Sequence, residues 1–534
     1  MGRVLVLGGG IAGMSAAMEL MRDHEVTIVE RRGQLGGKAR TWTDPDRNVF
    51  REHSFRVFHD TYHNTFDTMR RVSIGGAKTI RDNLEPYVSR EALFESYPKT
   101  WERYAGGVEL SRLEKARNLR DALRLLRVMI ASDARLKARY RTCAFEDLFA
   151  PRRDGSRGMV YQALKDMAQV EYSAERMSPD LKIMINFIEK HFMHGPPGLG
   201  WNALRGPTSD TFIEPWRRHL EEGGVTIHTH AEVLTLEYDR AHNAVTDVTV
   251  RDVTSGDLRE LKADVVISAV PSDALLGVAP MALQRAAPAA FSALRQVKRV
   301  WNNGAIIYSS RPTPVRGSYY MWHPWRVAVT TYSWRWDARW DLARYGVGPD
   351  AGRIREIISY VICDWTSPGP HTGRAARDCS PDQIYEELCA MSEADPSVMP
   401  DFNRDHHVHP RDLRGEPMTC AVDEALIYDD AGQHIVANED SLMHLPPGGW
   451  FDMPRARTPI DNFVLASTHC YNAFGCGDSM EGANETGRRA ANAALDHLGS
   501  RRRVPVLEGR DDSPAVKLLN VLRAIDGALF RAGV

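Results

Sequence analysis

Long apolar runs and net charge are both missing from this 534-residue sequence. No stretch reaches the roughly 20 apolar residues that a membrane helix needs, so we expect no transmembrane segment. Basic and acidic residues nearly balance, and a net charge of −2 gives no electrostatic reason to expect nucleic acid as a partner. Internal repeats and low-complexity tracts are absent as well. We therefore expect a globular protein.

Paired cysteines are missing too. The seven cysteines are an odd number and none of them forms a C-x-x-C motif, which is typical of reduced thiols. We expect a cytoplasmic protein, and we assign no metal site. A second G-x-G-x-x-G motif is also absent, so a separate NADPH-binding domain is not expected.

The strongest signal that is present lies in the first twenty residues. An apolar run at 4–7 predicts a buried strand, and a helical pattern begins directly after a G-x-G-x-x-G motif. In this context the first glycine permits a tight turn, the second lets the backbone approach a pyrophosphate, and the third lets the helix pack on the strand. The helix N-terminus offers N–H groups to the phosphates. The predicted ligands are Gly8, Gly10, Ile11, Ala12 and Gly13.

A second group of residues follows the next strand. The run at 26–29 ends at Glu30, near the usual position of the acid that binds a ribose hydroxyl. Another glycine pair and several cations come next, as a ligand longer than one turn would need. An ordinary exposed loop is the alternative. This group consists of Arg31, Gly36, Gly37, Lys38, Ala39 and Arg40.

Together these motifs resemble the amine oxidase and phytoene desaturase superfamily of FAD enzymes. The resemblance covers nearly the whole chain and implies that FAD is the cofactor. Its helix beginning Met-Glu-Gly-Ala points at the flavin ring, and the motif occurs here at 480–483. Many members have Gly-Asp after the preceding strand, where this chain has Ser467 and Thr468. The resemblance assigns FAD contacts to Val233, Ala269, Thr468, Met480, Glu481 and Ala483.

A subset similar to hydroxysqualene dehydroxylases carries Glu-His-Gly-Phe-Arg where this chain has residues 52–56. The chain departs from that subset at Ser54, His59 and Asp60, where substrate should meet flavin, so the substrate stays open. For His53 and Arg56, an interdomain hydrogen-bonding pair is the alternative to a place in the site. The candidate catalytic residues are His53, Arg56, Tyr62 and His63.

The order of the motifs predicts an α/β protein with two interleaved domains. A Rossmann-type FAD-binding domain with a parallel sheet is expected from 1–75, 205–290 and 455–500. An α+β substrate domain is expected from the helical stretch 76–204 and the aromatic-rich stretch 291–454, which should contain an antiparallel sheet. A tail helix is expected within 501–534, and helical periodicity spans 113–139. Half of the twelve tryptophans fall within 301–340, and they line either a pocket or a plain core.

The function expected from this resemblance is FAD-dependent oxidation of a small, largely apolar or aromatic metabolite. A dehydrogenase, desaturase or oxidase of secondary or isoprenoid metabolism is expected. Oxygen or a quinone is the expected electron acceptor, and a homodimer is one expected assembly. Three alternatives stay open: an amine oxidase, with Lys298 near the family's lysine position; a redox-neutral isomerase or dehydroxylase; and a non-catalytic binding protein. A covalent flavin on Cys470 or Cys476 is a further alternative.

Overall fold

A computed structural model of the chain describes residues 1–86, 112–151, 157–162, 164–165, 180–193, 201–316, 318–321, 323–336, 338–508 and 513–533. The α-helices in these ranges are α1 (Ile11–Leu20), α2 (His63–Arg71), α3 (Arg112–Met129), α4 (Asp133–Arg139), α5 (Leu181–Phe192), α6 (Glu214–Glu222), α7 (Ser272–Val278), α8 (Met281–Ala286), α9 (Pro288–Gln296), α10 (Pro381–Ala394), α11 (Met480–His497) and α12 (Pro514–Arg531).

The strands of the same ranges are β1 (Arg3–Leu7), β2 (Glu25–Val29), β3 (Thr41–Asp44), β4 (Val49–Glu52), β5 (Phe58–His59), β6 (Ser73–Gly75), β7 (Lys78–Thr79), β8 (Leu84–Pro86), β9 (Trp201–Leu204), β10 (Thr226–His228), β11 (Ala231–Asp239), β12 (Ala244–Asp252), β13 (Leu258–Leu261), β14 (Val265–Ser268), β15 (Lys298–Val300), β16 (Asn303–Ser309), β17 (Ser318–Met321), β18 (Val327–Thr331), β19 (Glu356–Ile362), β20 (His407–Val408), β21 (Ala421–Val422), β22 (Leu426–Tyr428), β23 (Ile435–Asn438), β24 (Leu442–His444) and β25 (Phe463–Leu465).

A five-stranded parallel sheet with the order β10-β2-β1-β14-β25 holds the N-terminal motif. Its central strands are continuous apolar runs, as expected for strands that are covered on both faces. On one face α1 lies against α11, so closely that a Cβ on Gly487 would sit 2.3 Å from the carbonyl oxygen of Ala12. The strands come from three separated stretches of the chain, 1–75, 205–290 and 455–500, although the domain boundaries themselves stay predictions.

Two antiparallel sheets complete the core. The three-stranded sheet β11-β12-β13 packs on the other face of the parallel sheet through a shared apolar cluster. A six-stranded sheet, in which β16 and β19 pair over seven residues, lies against α10. The parallel sheet with separate antiparallel sheets confirms the predicted α/β class.

The aromatic-rich stretch forms core rather than a pocket wall. Trp325 is fully buried in the cluster between the six-stranded sheet and α10, and Trp336 packs edge-on against Phe50. None of the five described tryptophans of 301–340 lines the main cavity, and Trp322 lies outside the described residues. Of the two alternatives, the structure favours the plain core, because the described tryptophans lie outside the strands and away from the cavity wall.

Helical structure over 113–139 and at the C-terminus is confirmed with one correction. The first stretch breaks into α3 and α4 at Ser132, whose hydroxyl caps α4. Helix α12 docks on α4 through Asp526, which accepts from Ser132 and from Arg135 at 2.8 Å. Apolar side chains of α3 and α12 remain exposed; they are Leu113, Leu119, Leu123, Leu126, Leu518, Val521, Ile525 and Leu529. Across the described ranges, no helix has both the length and the apolar character to span a bilayer.

Candidate functional site

A cavity of about 740 Å³ opens at the carboxyl ends of the parallel strands. Its wall begins at Leu7 of β1, Val29 of β2 and Ala269 after β14. Parallel α/β sheets bind ligands at this edge, because the loops that follow the strands meet there. The volume is that of a site for a large cofactor or a cofactor with substrate.

The first glycine turn forms one side of the cavity. Gly8 has φ +99°, a conformation that glycine adopts without strain. A Cβ on Gly13 would lie 2.0 Å from the carbonyl oxygen of Gly8, which explains why the third glycine is needed for α1 to pack. At Gly10 a Cβ would meet only the Cα of Gly37, at 3.9 Å. The wall there is open, and no side chain caps the N-terminus of α1.

The second glycine turn packs directly on the first. The N–H of Gly36 donates to the carbonyl of Gly9 at 2.9 Å, and Gly36 and Gly37 both have positive φ. A Cβ on Gly37 would lie 3.2 Å from the Cα of Gly10. Two backbone segments thus meet without side chains between them and both border the cavity.

Glu30 stands at the end of β2, in the cavity wall. One carboxylate oxygen accepts from the N–H of Gly9 at 2.8 Å and the other from the N–H of Arg32 at 2.9 Å. Burial raises the pKa of this carboxyl to about 7, although the hydrogen bond from Gly9 and the cations nearby oppose the shift. Each oxygen keeps acceptor capacity, so the carboxyl suits a hydroxyl donor such as a ribose.

The predicted cations are largely matched by acids that the sequence did not reveal. Arg31 pairs with Glu439 at 2.8 Å, and Arg40 pairs with Asp440 at 3.1 Å and with Glu424 at 2.7 Å. Arg31 lines the cavity, whereas Arg40 is buried behind it. Arg40 is therefore placed to hold the second glycine turn, since its guanidinium also donates to the carbonyl of Gly37.

Asp478 is a cavity residue that sequence reasoning missed. Its carboxylate pairs with Lys38 and accepts from the Thr468 hydroxyl at 2.6 Å and from the N–H of Met443 at 3.1 Å. Burial opposes ionisation, but the Lys38 ammonium and these hydrogen bonds lower the pKa of Asp478 to about 2. The signal was the dipeptide Gly477–Asp478, which Ser479 separates from the Met-Glu-Gly-Ala motif. The resemblance places a carboxylate directly after β25, and in this chain Asp478 provides a carboxylate just before α11 instead.

The N-terminus of α11 borders the cavity through Met480 and Ala483. Ser479 caps the helix by accepting from the N–H of Gly482 at 3.1 Å. Glu481, predicted as a cofactor contact, points away from the cavity. Its carboxylate accepts from the N–H groups of Asn64 and Thr65 at the start of α2, both at 2.9 Å. The structure therefore gives Glu481 a role in joining two helices.

The segment that follows β4 brings three of the four candidate catalytic residues to the cavity. His53, Arg56 and Tyr62 line it, whereas His63 opens α2 outside the lining. The guanidinium of Arg56 donates to the carbonyl of Ser54 at 2.6 Å and to the carbonyl of Lys38. Burial lowers the pKa of Arg56, and Glu52 nearby opposes that shift. Arg56 thus ties the substrate segment to the second glycine turn.

Most of the predicted cofactor contacts come together in this wall. Of the predicted residues, the cavity lining contains Gly8, Gly10, Ile11, Ala12, Glu30, Arg31, Gly36, Gly37, Lys38, Ala39, His53, Arg56, Tyr62, Val233, Ala269, Thr468, Met480 and Ala483. Those that lie outside the lining are Gly13, Arg40, His63 and Glu481.

The amine oxidase and covalent-flavin alternatives depend on Lys298, Cys470 and Cys476, and none of these three residues lines the cavity. Lys298 is exposed on β15 and lies outside the cavity lining. Cys470 and Cys476 are buried, and burial raises the pKa of the Cys470 thiol far above its usual range. A thiol that stays protonated is a poor nucleophile, so neither covalent attachment nor lysine-assisted amine chemistry has its residue at the cavity.

The Lys38–Asp478 pair gives a pH-dependent contribution to stability. We expect Asp478→Asn to lower the free energy of unfolding, with about 2 kcal/mol of the difference depending on pH. Because the folded-state pKa is depressed, this part is fully present above about pH 4 and is lost as pH falls towards about 2. Denaturant titrations of both proteins across this range measure it. A difference that is constant with pH would contradict the assignment.

Comparisons with known proteins agree with this geometry. A sequence model of the family described as flavin containing amine oxidoreductase matches residues 11–342, more than half of the chain. The probable zeta-carotene desaturase of Synechococcus elongatus is 25% identical over 525 residues, which cover 92% of this chain and 98% of the relative. The zeta-carotene desaturase of Arabidopsis thaliana is 21% identical over 92% of this chain and 85% of its own.

Two further similarities are more limited. The carotenoid phi-ring synthase of Chlorobaculum tepidum is 25% identical over 238 residues, 42% of this chain and 36% of the relative. An oxidoreductase from Methanosarcina mazei has a crystal structure that matches with a TM-score of 0.51 at 15% identity, covering 92% of this chain and all of that one. The likeness of the two structures establishes the shared fold.

Proposed function

Because the chain belongs to the family of flavin containing amine oxidoreductases, we propose that it desaturates an extended, largely apolar isoprenoid substrate. It is an FAD-dependent oxidoreductase, and FAD is its cofactor. The proposal concerns the substrate and the residues that meet it. Relatives named zeta-carotene desaturases, similar over nearly the whole chain, support the substrate class.

The cavity wall fits FAD. The open space beside Gly10 and the uncapped N-terminus of α1 suit a pyrophosphate, which needs close backbone N–H groups and a partial positive charge. We assign the ribose to Glu30 and the adenine end to Val233, which borders the cavity beside β2. Lys38, Thr468 and Asp478 form one hydrogen-bonded group that we assign to the middle of the cofactor.

When bound, FAD supplies two-electron oxidation of a C–H bond. The chain contributes the environment for that chemistry. The capped N-terminus of α11 places a partial positive charge at Met480 and Ala483, where it stabilises negative charge.

The observation that carries the proposal is that the residues assigned to FAD and several apolar and aromatic residues line the same cavity. Phe55 packs with Val361 of β19, and Tyr62 packs edge-on against Phe474 at 5.4 Å. Trp201 of β9 completes this side. The apolar side chains of this wall gain free energy when an apolar chain covers them.

We expect the purified protein to show an oxidised flavin spectrum that moves to the supernatant on acid precipitation, since Cys470 and Cys476 lie away from the cavity. Under anaerobic conditions, zeta-carotene in detergent micelles should bleach the flavin, and the carotene absorption should shift to longer wavelength as a double bond is added. A panel of amines is the matched comparison. Bleaching by an amine but not by zeta-carotene would favour the amine oxidase alternative, and product of unchanged oxidation level would favour the dehydroxylase.

We also propose oxygen or a quinone as the electron acceptor, because the sequence has only one dinucleotide fingerprint. Stopped-flow reoxidation of the reduced protein by air or by a soluble quinone distinguishes the two. The homodimer stays a prediction, and sedimentation of the flavoprotein measures it.

A further inference from the structure

His53 and Asp423 form a buried pair at the cavity, although 370 positions separate them in the sequence. The Nδ1 atom of His53 lies 2.5 Å from a carboxylate oxygen of Asp423. His53 is 2% exposed, and the Asp423 side chain has no exposed surface. The pair is thus withdrawn from solvent while His53 remains part of the cavity lining.

The pair is fixed by the strand between them. The N–H of Gly304 on β16 donates to the carbonyl of His53 at 2.6 Å, and the N–H of Asp423 donates to the carbonyl of Gly304 at 3.0 Å. A Cβ on Gly304 would lie 2.7 Å from the His53 carbonyl oxygen, so only glycine permits this approach. Asn303 donates to the same carboxylate oxygen at 2.7 Å.

These contacts determine which ring nitrogen carries the proton. A carboxylate only accepts hydrogen bonds, so the short contact places the imidazole proton on Nδ1. Although burial opposes ionisation, the neighbouring His53 ring holds the pKa of the Asp423 carboxyl below its usual range. The Nε2 atom of His53 is buried and has no hydrogen-bond partner among the described residues. In the neutral ring this atom is an acceptor.

A histidine–glutamate pair elsewhere in the protein has hydrogen-bond partners at both imidazole nitrogens. His323 contacts Glu387 through Nε2 at 2.9 Å, and its Nδ1 accepts from the N–H of Trp325 at 3.1 Å. Both ring nitrogens are occupied, and the pair lies away from the main cavity. His53 differs in that its Nε2 has no hydrogen-bond partner among the described residues while its ring belongs to the cavity lining.

We propose that His53 accepts the substrate proton at Nε2 and that Asp423 is its positioning residue. This inference rests on the proposed desaturation. A saturated carbon pair loses two hydrogens: one leaves with its electron pair to FAD, and the other leaves as a proton to Nε2. The electron pair of the second C–H bond becomes the new π bond. The imidazolium is stabilised by Asp423 and later returns its proton to water.

The charged groups around this pair are few. Glu52 and Arg56 stand on the same segment as His53, and Glu424 follows Asp423 in the chain. Glu52 is engaged by the Tyr332 hydroxyl and by the Ser359 hydroxyl at 2.8 Å. Asp423 is the charged group in direct contact with the ring, at 2.5 Å.

The test uses the FAD-loaded full chain with zeta-carotene as the probe. We expect Asp423→Asn and His53→Gln each to lower kcat by about 100-fold with little change in KM, the usual contribution of a general base. If His53 is the base, the pH dependence of the wild-type rate should be altered in His53→Gln. Glu387→Gln, at the control pair, should leave the profile unchanged.

A second measurement needs neither substrate nor a variant. Nitrogen-15 NMR of histidine-labelled wild-type protein should show His53 with its proton on Nδ1 and strongly downfield, as in a short hydrogen bond to carboxylate. A proton on Nε2, or a pH dependence that is unchanged in His53→Gln, would overturn the proposal. Failure of zeta-carotene to bleach wild-type flavin would count against the proposed substrate, while the NMR result would still decide the tautomer on which the inference depends.

Discussion

Replacing Gly10 with alanine is expected to lower the affinity for FAD by about 100-fold while the apoprotein keeps its stability within about 1 kcal/mol. The backbone of Gly10 is extended, at φ −73° and ψ −179°, so alanine enters without strain. Its Cβ would meet no protein atom closer than 3.9 Å. The methyl group instead fills the space that we assign to the pyrophosphate. Fluorescence titration of the apoprotein with FAD measures the change.

Gly13→Ala is the matched control within the same motif. Its Cβ would fall 2.0 Å from the Gly8 carbonyl oxygen, which is backbone and cannot swing aside as a side chain can. We therefore expect Gly13→Ala to lower the free energy of unfolding by about 3 kcal/mol even without FAD. If both variants lose stability equally, or if Gly10→Ala binds FAD normally, the assigned position of the pyrophosphate is wrong.

The contrast between these two glycines shows what the sequence could predict. The fingerprint, the strand–turn–helix order and the parallel sheet follow from local requirements on backbone conformation, and the structure confirms them. The partners of the motif residues do not follow, because they come from distant segments. Nothing near His53 in the sequence indicates Asp423, since the contact exists only after β16 has been placed between the two segments.

The sequence did not predict the direction of individual side chains either. The sequence left open whether the tryptophans of 301–340 line a pocket or a core. In the structure Trp325 lies in a cluster that α10 covers, which makes it core. Similarly, the Met-Glu-Gly-Ala motif located the start of α11 correctly. Whether Glu481 faces the ligand or a neighbouring helix depends on α2, whose packing no local pattern specifies.

Glu481→Gln carries the second large effect, on stability rather than on cofactor binding. The carboxylate is 1% exposed and accepts four hydrogen bonds, from the N–H and side-chain amide of Asn64 and from the N–H and hydroxyl of Thr65. Burial raises the pKa of Glu481, while these four donors favour the charged form and stand at the positive end of α2. A glutamine amide keeps one accepting oxygen but turns its NH₂ towards a backbone N–H, where no hydrogen bond can form.

We therefore expect Glu481→Gln to lower the free energy of unfolding by about 3 kcal/mol, because buried donors lose their acceptor. Because Glu481 lies outside the cavity lining, the folded fraction should bind FAD with nearly unchanged affinity. Denaturant unfolding followed by FAD titration separates the two effects. The same substitution at the exposed Glu221, which pairs with Arg217, should change stability by less than about 1 kcal/mol. A loss of FAD affinity without loss of stability would instead restore Glu481 as a cofactor ligand and would require α11 to turn relative to α2.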